Sequence, residues 1–414
     1  MKKILFLAPR LPLPADTGGK IRTLHILRQL RHGAQVHLVC FSFEENDSEM
    51  AKELEKEGIS VTLVPKKKGG WGVLFQALFR QMPVSVAKYH SLKMRKHIQY
   101  LIRQESFDAV HVDHVHMAQY RHCFNGALSV LDGHNVEHKI LERCARVEPS
   151  GIKRFLLTHQ AGTMKNFESR RLGEFSMCWA VSEDDQKSLL KLGMKRTAVH
   201  LVPNGVDTEY FQPRAQSPKL RESSRQSSVV SRQFDESLIF TGSMDWWPNR
   251  DGVLYFCKEI LPLIWKVKPR LTFYVVGKSP SSSLLALAAQ DSRIMVTGKV
   301  EDVRPFLAKS QIFVCPIRVG GGTRLKILEA MAMAKPVVST SLGAEGIGYT
   351  SDKDIVLADS AEEFADEVVS LLETSEKRHS LGIEARKLVC QQYDWKTIGR
   401  KIHSLYEELH VQQS

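Results

Sequence analysis

Two hydrophobic rhythms alternate almost from end to end of the chain. Short runs rich in aliphatic and β-branched residues read as buried strands: Ile4–Ala8, Val36–Phe41, Val61–Val64, Ala109–Val112, Leu128–Leu131, Cys178–Val181 and Val199–Val202. Amphipathic stretches of helical period separate them. In the first, Ile21, Leu24, Ile26, Leu27 and Leu30 trace one face, and Gly33 stands where a C-cap glycine would. Strand then helix, repeated, predicts parallel sheets with crossover helices. The rhythm breaks at Pro203-Asn204-Gly205, a turn signal. Arg214 to Gln233 is rich in Ser, Arg and Gln and poor in apolar residues, the composition of an exposed, mobile loop. Strands return at Leu238–Thr241, Leu271–Val276, Ile294–Thr297, Ile312–Cys315, Val337–Thr340 and Ile355–Leu357. The pattern predicts two doubly wound α/β domains, 1–204 and 236–390, with a linker and loop at 205–235 and a terminal helix within 391–414.

A chain of 414 residues exceeds what one core ordinarily organises, which agrees with two domains. Its seven cysteines are scattered without paired spacing, which argues against a disulfide framework or a zinc site and fits a reducing cytoplasm. Only five apolar residues precede Pro9, too few for a signal-peptide core, and no apolar run is long enough to span a membrane. The net charge of +12 suits nucleic acid, an anionic membrane or a phosphorylated substrate. Nothing resembles a nucleic-acid module. Lys66–Lys68, the apolar stretch Trp71–Phe79, and Arg80, Lys88, Lys93, Arg95 and Lys96 form a basic amphipathic region. Such a region suits the surface of an anionic membrane, or else it is a core helix with a solvated basic face.

The candidate chemistry is densest at Pro316–Val338. A strand ends, Gly320-Gly321-Gly322 follow, and a helix is expected from about Thr323. Glycines let backbone amides approach a phosphate, and a helix N-terminus adds partial positive charge. Lys326 and Glu329 share a helix face. The lysine is placed for a diphosphate, and the glutamate, one turn deeper, for ribose hydroxyls. A surface Lys–Glu pair after a glycine loop is the plainer reading of the same spacing.

This segment resembles the donor-site helix of the GT4-type retaining glycosyltransferases of the GT-B fold. Further segments match in order: Pro9–Lys20 with Gly18-Gly19, Val181-Ser182-Glu183, Leu201–Asp207 and Phe240–Met244. Gly-Ser-Met-Asp-Trp at 242–246 and Leu131-Asp132-Gly133-His134-Asn135 are similar to a subgroup associated with exopolysaccharide clusters. The resemblance implies two Rossmann-like domains facing a central cleft. It implies a donor site including Gly18, Gly19, Asn204, Gly242, Gly298, Val300, Gly321, Gly322, Thr323 and Glu329, with His134, Arg324 and Lys326 catalytic. His134 would face the donor sugar, Arg324 and Lys326 the leaving diphosphate, and backbone at Gly298–Val300 the base. The terminal helix, opened by Tyr393-Asp394-Trp395, would return to the N-domain. Two positions depart from the family's pattern: Gly321 stands where a glutamate is usual, and Ser243 where an arginine often follows the first-loop glycine.

The reaction implied is sugar transfer, with retention, from a nucleotide-diphosphate donor to a glycan or lipid-linked acceptor in exopolysaccharide biosynthesis. No metal or other cofactor is expected, although His111, Asp113, His114 and His116 alternate as metal ligands could. The enzyme would be cytoplasmic, peripheral on the inner face of the membrane, with no nucleic-acid partner. A GT-B phosphorylase, a sugar-nucleotide epimerase and a catalytically idle GT-B binding module remain as alternatives.

Overall fold

The computed structural model describes residues 2–67, 70–213 and 236–411. The expected loop at Arg214–Gln233, and Lys68 of the basic run, lie outside the described residues. The chain divides into two compact units, Met1–Asn204 with Ile398–Ser414, and Gly205–Thr397.

Among the described residues, the first unit is built on seven parallel strands. They are β1 Lys2–Ala8, β2 Ala34–Ser42, β3 Ser60–Pro65, β4 Ala109–Asp113, β5 Leu128–Gly133, β6 Met177–Ala180 and β7 Val199–Leu201. Their order is β3-β2-β1-β4-β5-β6-β7. β1 lies at the centre, Ile4 pairing with Val36 on one side and Ala109 on the other. Helices cover both faces, so β1 can be apolar from Ile4 onward, and Leu5, Phe6, Leu7 and Ala8 are fully buried. Leu5, Phe6 and Leu7 each contribute about 1.5–3 kcal/mol on burial. The strand order reverses between β1 and β4. In doubly wound sheets ligands bind at that reversal, beyond the carboxyl ends of the strands.

The second unit repeats the plan with β8 Ser237–Thr241, β9 Thr272–Val276, β10 Ile294–Gly298, β11 Ile312–Cys315, β12 Val337–Ser339 and β13 Val356–Leu357. All its pairings are parallel, in the order β10-β9-β8-β11-β12-β13. The reversal lies between β8 and β11, at Gly242 and the loop after Cys315.

The helix Trp395–Val411 begins in the second unit and finishes in the first. At its start, the backbone N–H of Val206 donates to Tyr393 O at 2.8 Å, and Thr208 Oγ1 donates to Asp394. Farther on, Ile402, Leu405, Tyr406 and Leu409 form a buried stripe at helical spacing. The Tyr406 hydroxyl lies 2.8 Å from His111 Nδ1. Gly33 does not cap its helix as the pattern suggested. The helix Gly18–Arg31 is capped at His32 in right-handed geometry. A side chain at Gly33 would meet the His403 ring at 3.2 Å, so the glycine serves close packing against the terminal helix.

Candidate active site

In the second unit, three glycines end the strands around the reversal. Gly242 follows β8, Gly277 follows β9 and Gly298 closes β10, with φ of 150°, 154° and 70°. A Cβ on Gly277 would lie 1.9 Å from the Gly242 carbonyl oxygen, where only backbone could move to make room. A Cβ on Gly242 would lie 2.5 Å from Lys326 Nζ. These glycines keep space at the strand ends and let the lysine reach them.

Lys326 comes from the helix Leu325–Ala332, which starts two residues later than the sequence suggested. Its ammonium donates to Asn249 Oδ1 at 2.7 Å and lies 3.9 Å from the centroid of the Phe240 ring. Asn249 is fixed in turn by donating to Ser243 O at 2.8 Å. Burial lowers the Lys326 pKa to about 7, with Arg324 adding to the effect and Cys315 and Glu329 opposing it. Burial raises Glu329 to about 7 as well, opposed by Lys326. An amine and a carboxylate whose charged forms burial disfavours, one helical turn apart, suit an anion and a hydroxyl-bearing group.

Arg324 donates from Nη1 to the carbonyls of Gly321 and Gly322, folding onto the loop that precedes it. Gly320 and Gly322 take φ of 119° and 74°, values that favour glycine. Thr323 is buried and its hydroxyl donates to Gly346 O at 3.3 Å. Gly298 offers its carbonyl to the N–H of Gly277 at 3.1 Å, and Val300 is partly buried against the core.

In the first unit, the carboxyl ends of β4 and β5 carry a buried charge network. Arg22 grips Asp132 with two nitrogens, at 2.6 and 2.9 Å, and both side chains are almost wholly buried. Arg22 Nη1 also donates to Pro203 O and to Asn204 Oδ1, at 3.0 and 3.1 Å. The expected donor-site residue Asn204 thus holds Arg22. His134 Nε2 lies 2.7 Å from Asp113 Oδ1 and 3.4 Å from Asp132 Oδ2. Thr23 Oγ1 donates to Asp113 Oδ2 at 2.9 Å. Burial disfavours a charged His134, but the carboxylates of Asp113 and Asp132 outweigh it and bring its pKa to about 9. The raised pKa favours the protonated ring near neutral pH, whose N–H groups suit hydrogen-bond donation.

The predicted glycine loop joins this group. Gly18 opens its helix, and a Cβ on Gly19 would lie 3.4 Å from His114 Nε2 and 3.7 Å from His134 Nδ1. The two imidazole centroids are 3.6 Å apart, and His114 holds φ at 69°, rare without glycine. A pocket of about 250 Å³ opens there, lined by Arg10, Gly19, Lys20, Asp113, His114 and His116 among others. Burial, with His134 adding to it, holds His114 well below the ordinary histidine value and His116 at about 4.

The alternating histidines divide by role. His111 points into the core, where burial lowers it to about 3 and its ring stacks on Phe6 at 4.5 Å. Asp113, His114 and His134, or His114, His116 and Glu137, hold atoms within 4.8 Å of one another and could offer metal ligands. In the first trio, Nε2 of His134 is already paired to Asp113, so a metal would have to displace that proton and its bond.

The basic amphipathic region is also rearranged. Lys66 turns inward, donating to His90 O at 2.5 Å over the Phe41 ring. Helix Trp71–Phe79 is not a core helix: Phe75, Leu78 and Phe79 are exposed.

The His134 pairing has a pH signature. A group whose pKa is raised from about 6.5 in the unfolded chain to about 9 when folded stabilises fully below the unfolded value. That stabilisation is lost as pH rises through about 9. Denaturant midpoints are expected to fall between pH 6.5 and 9.5, and Asp113→Asn is expected to flatten the fall. An equal slope in the variant would refute the pairing.

Residues 18–210 match the family model described as Glycosyltransferase Family 4. Residues 235–374 match the one described as Glycosyl transferases group 1. The chain belongs to the GT4-type glycosyltransferases of the GT-B fold, enzymes that draw a sugar from a nucleotide donor. An uncharacterised 44.6 kDa protein in the cps region of Klebsiella pneumoniae is 20% identical over 97% of this chain and 99% of its own. The Escherichia coli UDP-Gal:α-D-GlcNAc-diphosphoundecaprenol α-1,3-galactosyltransferase is 26% identical over 39% of this chain and 41% of its own. The crystal structure of Anabaena HepE (Alr3699) in complex with UDP and glucose superposes with a TM-score of 0.66 and 16% identity. That match covers 99% of this chain and 100% of the other.

Sequence reading missed Asn249 and Arg22, and took Asp113 only as a possible metal ligand, not as the carboxylate that pairs with His134. Asn249 carried no signal beyond following Pro248 at a helix start. Arg22 sits on an amphipathic helix where an arginine reads as solvent-facing. The bidentate partner that buries it is 110 residues away.

Proposed function

We propose that this glycosyltransferase moves a sugar, with retention, from a nucleotide-diphosphate donor to a glycan or lipid-linked acceptor in exopolysaccharide assembly. The observation that carries the reading is Lys326, held by Asn249 beside Gly242 at the strand reversal of the second unit. A diphosphate there would restore the lysine's charge, and negative charge growing on the leaving group would be met by a donor already in place. The loop amides at Gly321–Thr323 would add to this, and Arg324 would brace the loop and contribute its own charge. Glu329 would accept from ribose hydroxyls, and His134 would donate to the sugar. With Gly321 in place of a glutamate, sugar contacts at that position fall to backbone. The neighbour solved with UDP and glucose supports a donor of this class. The relative acting on a diphosphoundecaprenol-linked sugar supports a lipid-linked acceptor, and the cps-region relative supports exopolysaccharide assembly. Exposed apolar side chains on helix Trp71–Phe79 support action at a membrane surface.

The direct test is a thermal-shift screen of nucleotide sugars followed by product analysis, since a ligand bound only by the native state raises apparent stability. A stabilising donor that is neither transferred nor hydrolysed would favour a binding module. Glu329→Gln is expected to weaken binding of intact donor and free nucleoside diphosphate alike, roughly tenfold to a hundredfold. A hydrogen bond to a charged group is worth about 1.5–3 kcal/mol, and an amide accepts less well than a carboxylate. Wild-type affinity by calorimetry would return Glu329 to the helix surface.

The transfer is proposed to be metal-independent, with Lys326 supplying the charge next to the diphosphate. Turnover is expected to survive EDTA. Complete loss, restored by manganese or magnesium, would show that a metal takes that role.

A further inference from the structure

The first unit contains a second, larger cavity, of about 980 Å³. Helix Trp71–Phe79 contributes Val73 and Leu74 to its wall, and helix Gly151–Leu172 contributes Leu156 and Leu157. Leu141 adds to this apolar lining. On the same two helices, Phe75, Phe79 and Phe155 are 73%, 90% and 71% exposed, so the apolar surface continues outside the cavity. Large exposed apolar patches mark interaction sites.

The charges on the lining restrict what can occupy it. Arg10, Lys88 and Lys153 line it together with Glu44 and Glu148, and Glu148 accepts from the Ser150 N–H at 3.1 Å. Arg10 donates to the Tyr89 hydroxyl at 3.0 Å, and Lys88 lies 5.6 Å from the centroid of the Tyr89 ring, so both cations gather at one side chain. Arg10 and Tyr89 also line the smaller pocket beside Gly19, His114 and His116. The two cavities therefore share Arg10. An occupant matched to both is apolar along its length, anionic where the cations stand, and polar beyond.

We propose that the larger cavity seats the hydrocarbon tail of the acceptor, an isoprenoid-linked phosphate or diphosphate, with Arg10 and Lys88 at its phosphate. The acceptor's sugar or hydroxyl end then lies in the smaller pocket. This rests on the glycosyltransferase reading and narrows its acceptor to a lipid-linked one.

The test uses the full chain, with geranyl diphosphate, farnesyl diphosphate, farnesol and inorganic diphosphate as probes and calorimetry as the readout. Each buried methylene is worth about fourfold in affinity, so farnesyl diphosphate is expected to bind at least tenfold more tightly than geranyl diphosphate. Inorganic diphosphate is expected to be weaker than either. Leu74 and Leu156 are about half exposed, so Leu74→Asp and Leu156→Asp leave the core intact and are expected to cost at least tenfold for farnesyl diphosphate. Arg10→Gln with Lys88→Gln is expected to erase the preference for farnesyl diphosphate over farnesol. UDP affinity, measured on the same samples, is expected to stay unchanged. Indifference to chain length, or unaltered affinity in both leucine variants, would overturn the tail site. Binding to phosphatidylglycerol vesicles without binding to farnesyl diphosphate would also overturn it, reducing the patch to surface adhesion. Absence of binding to UDP, GDP, ADP and dTDP alike would instead defeat the reading of the second unit as a nucleotide-donor site.

Discussion

Arg22→Ala is expected to destabilise the first unit by about 3–5 kcal/mol, the usual cost of removing one member of a buried ion pair. The effect is large because of what remains. Asp132 is fully buried, and burial alone would raise its pKa; Arg22 and His134 together hold it well below the ordinary carboxylate value. Without Arg22 it must either stay ionised with His134 as its remaining cation or take up a proton. The carbonyl of Pro203 and the amide oxygen of Asn204 lose their donor as well. Arg22→Lys restores charge but not the planar fork that meets both carboxylate oxygens, and is expected to recover only part of the loss. Two units need not melt together, so the measurement should follow Trp179 fluorescence in a background with the other five tryptophans replaced by phenylalanine, which reports from the core of the first unit. A loss under about 1 kcal/mol would mean that the pair is hydrated or neutral and does not organise the strand ends.

Lys326→Ala is expected to lower kcat/KM by roughly a hundredfold to a thousandfold, the range seen when one preorganised donor to developing negative charge is removed. The wild-type enzyme should also show an alkaline limb. The free Lys326 pKa is depressed to about 7, so above that pH the free enzyme increasingly holds a neutral amine, and an arriving diphosphate must bring a proton with it. kcat/KM should therefore decline as pH rises above about 7, and Lys326→Met should lack that limb. Lys326→Arg is not expected to rescue fully, because Asn249 Oδ1 and the Phe240 ring close around a single ammonium. Activity within tenfold of wild type in the alanine variant would move the diphosphate away from this helix. A second effect would come from the backbone. Gly277→Ala puts a methyl group into the Gly242 carbonyl, so it should damage donor binding without touching a charged group.

Much of the architecture was legible in the chain. Each run read as a strand became one, with ends moved by a residue or two, because parallel strands buried on both faces leave an apolar signature that local pattern detects. The Lys326–Glu329 face was legible for a similar reason, since helical spacing alone sets it. Where a side chain's partner lay far along the chain, local pattern misled. Lys66 read as part of a basic surface run, but the β3 end points it at His90. Gly33 read as a cap, but its lack of a side chain admits His403.

What the sequence by itself determined was the period of each element, their alternation, and hence which residues stand at the ends of strands and the starts of helices. Those properties follow from sterics and solvent exclusion acting over a few neighbouring residues. Only the tertiary structure decided which of those residues are charged and with whom. Asp113, Asp132 and His134 come from two adjacent strand ends and Arg22 from a helix far earlier in the chain. The protonation of Asp132 and His134 depends on their being brought close to Arg22 and Asp113 out of water, where charge–charge interaction is less screened. The same holds for Lys326, whose pKa near 7 arises from burial between Asn249 and Phe240, a condition no stretch of sequence contains.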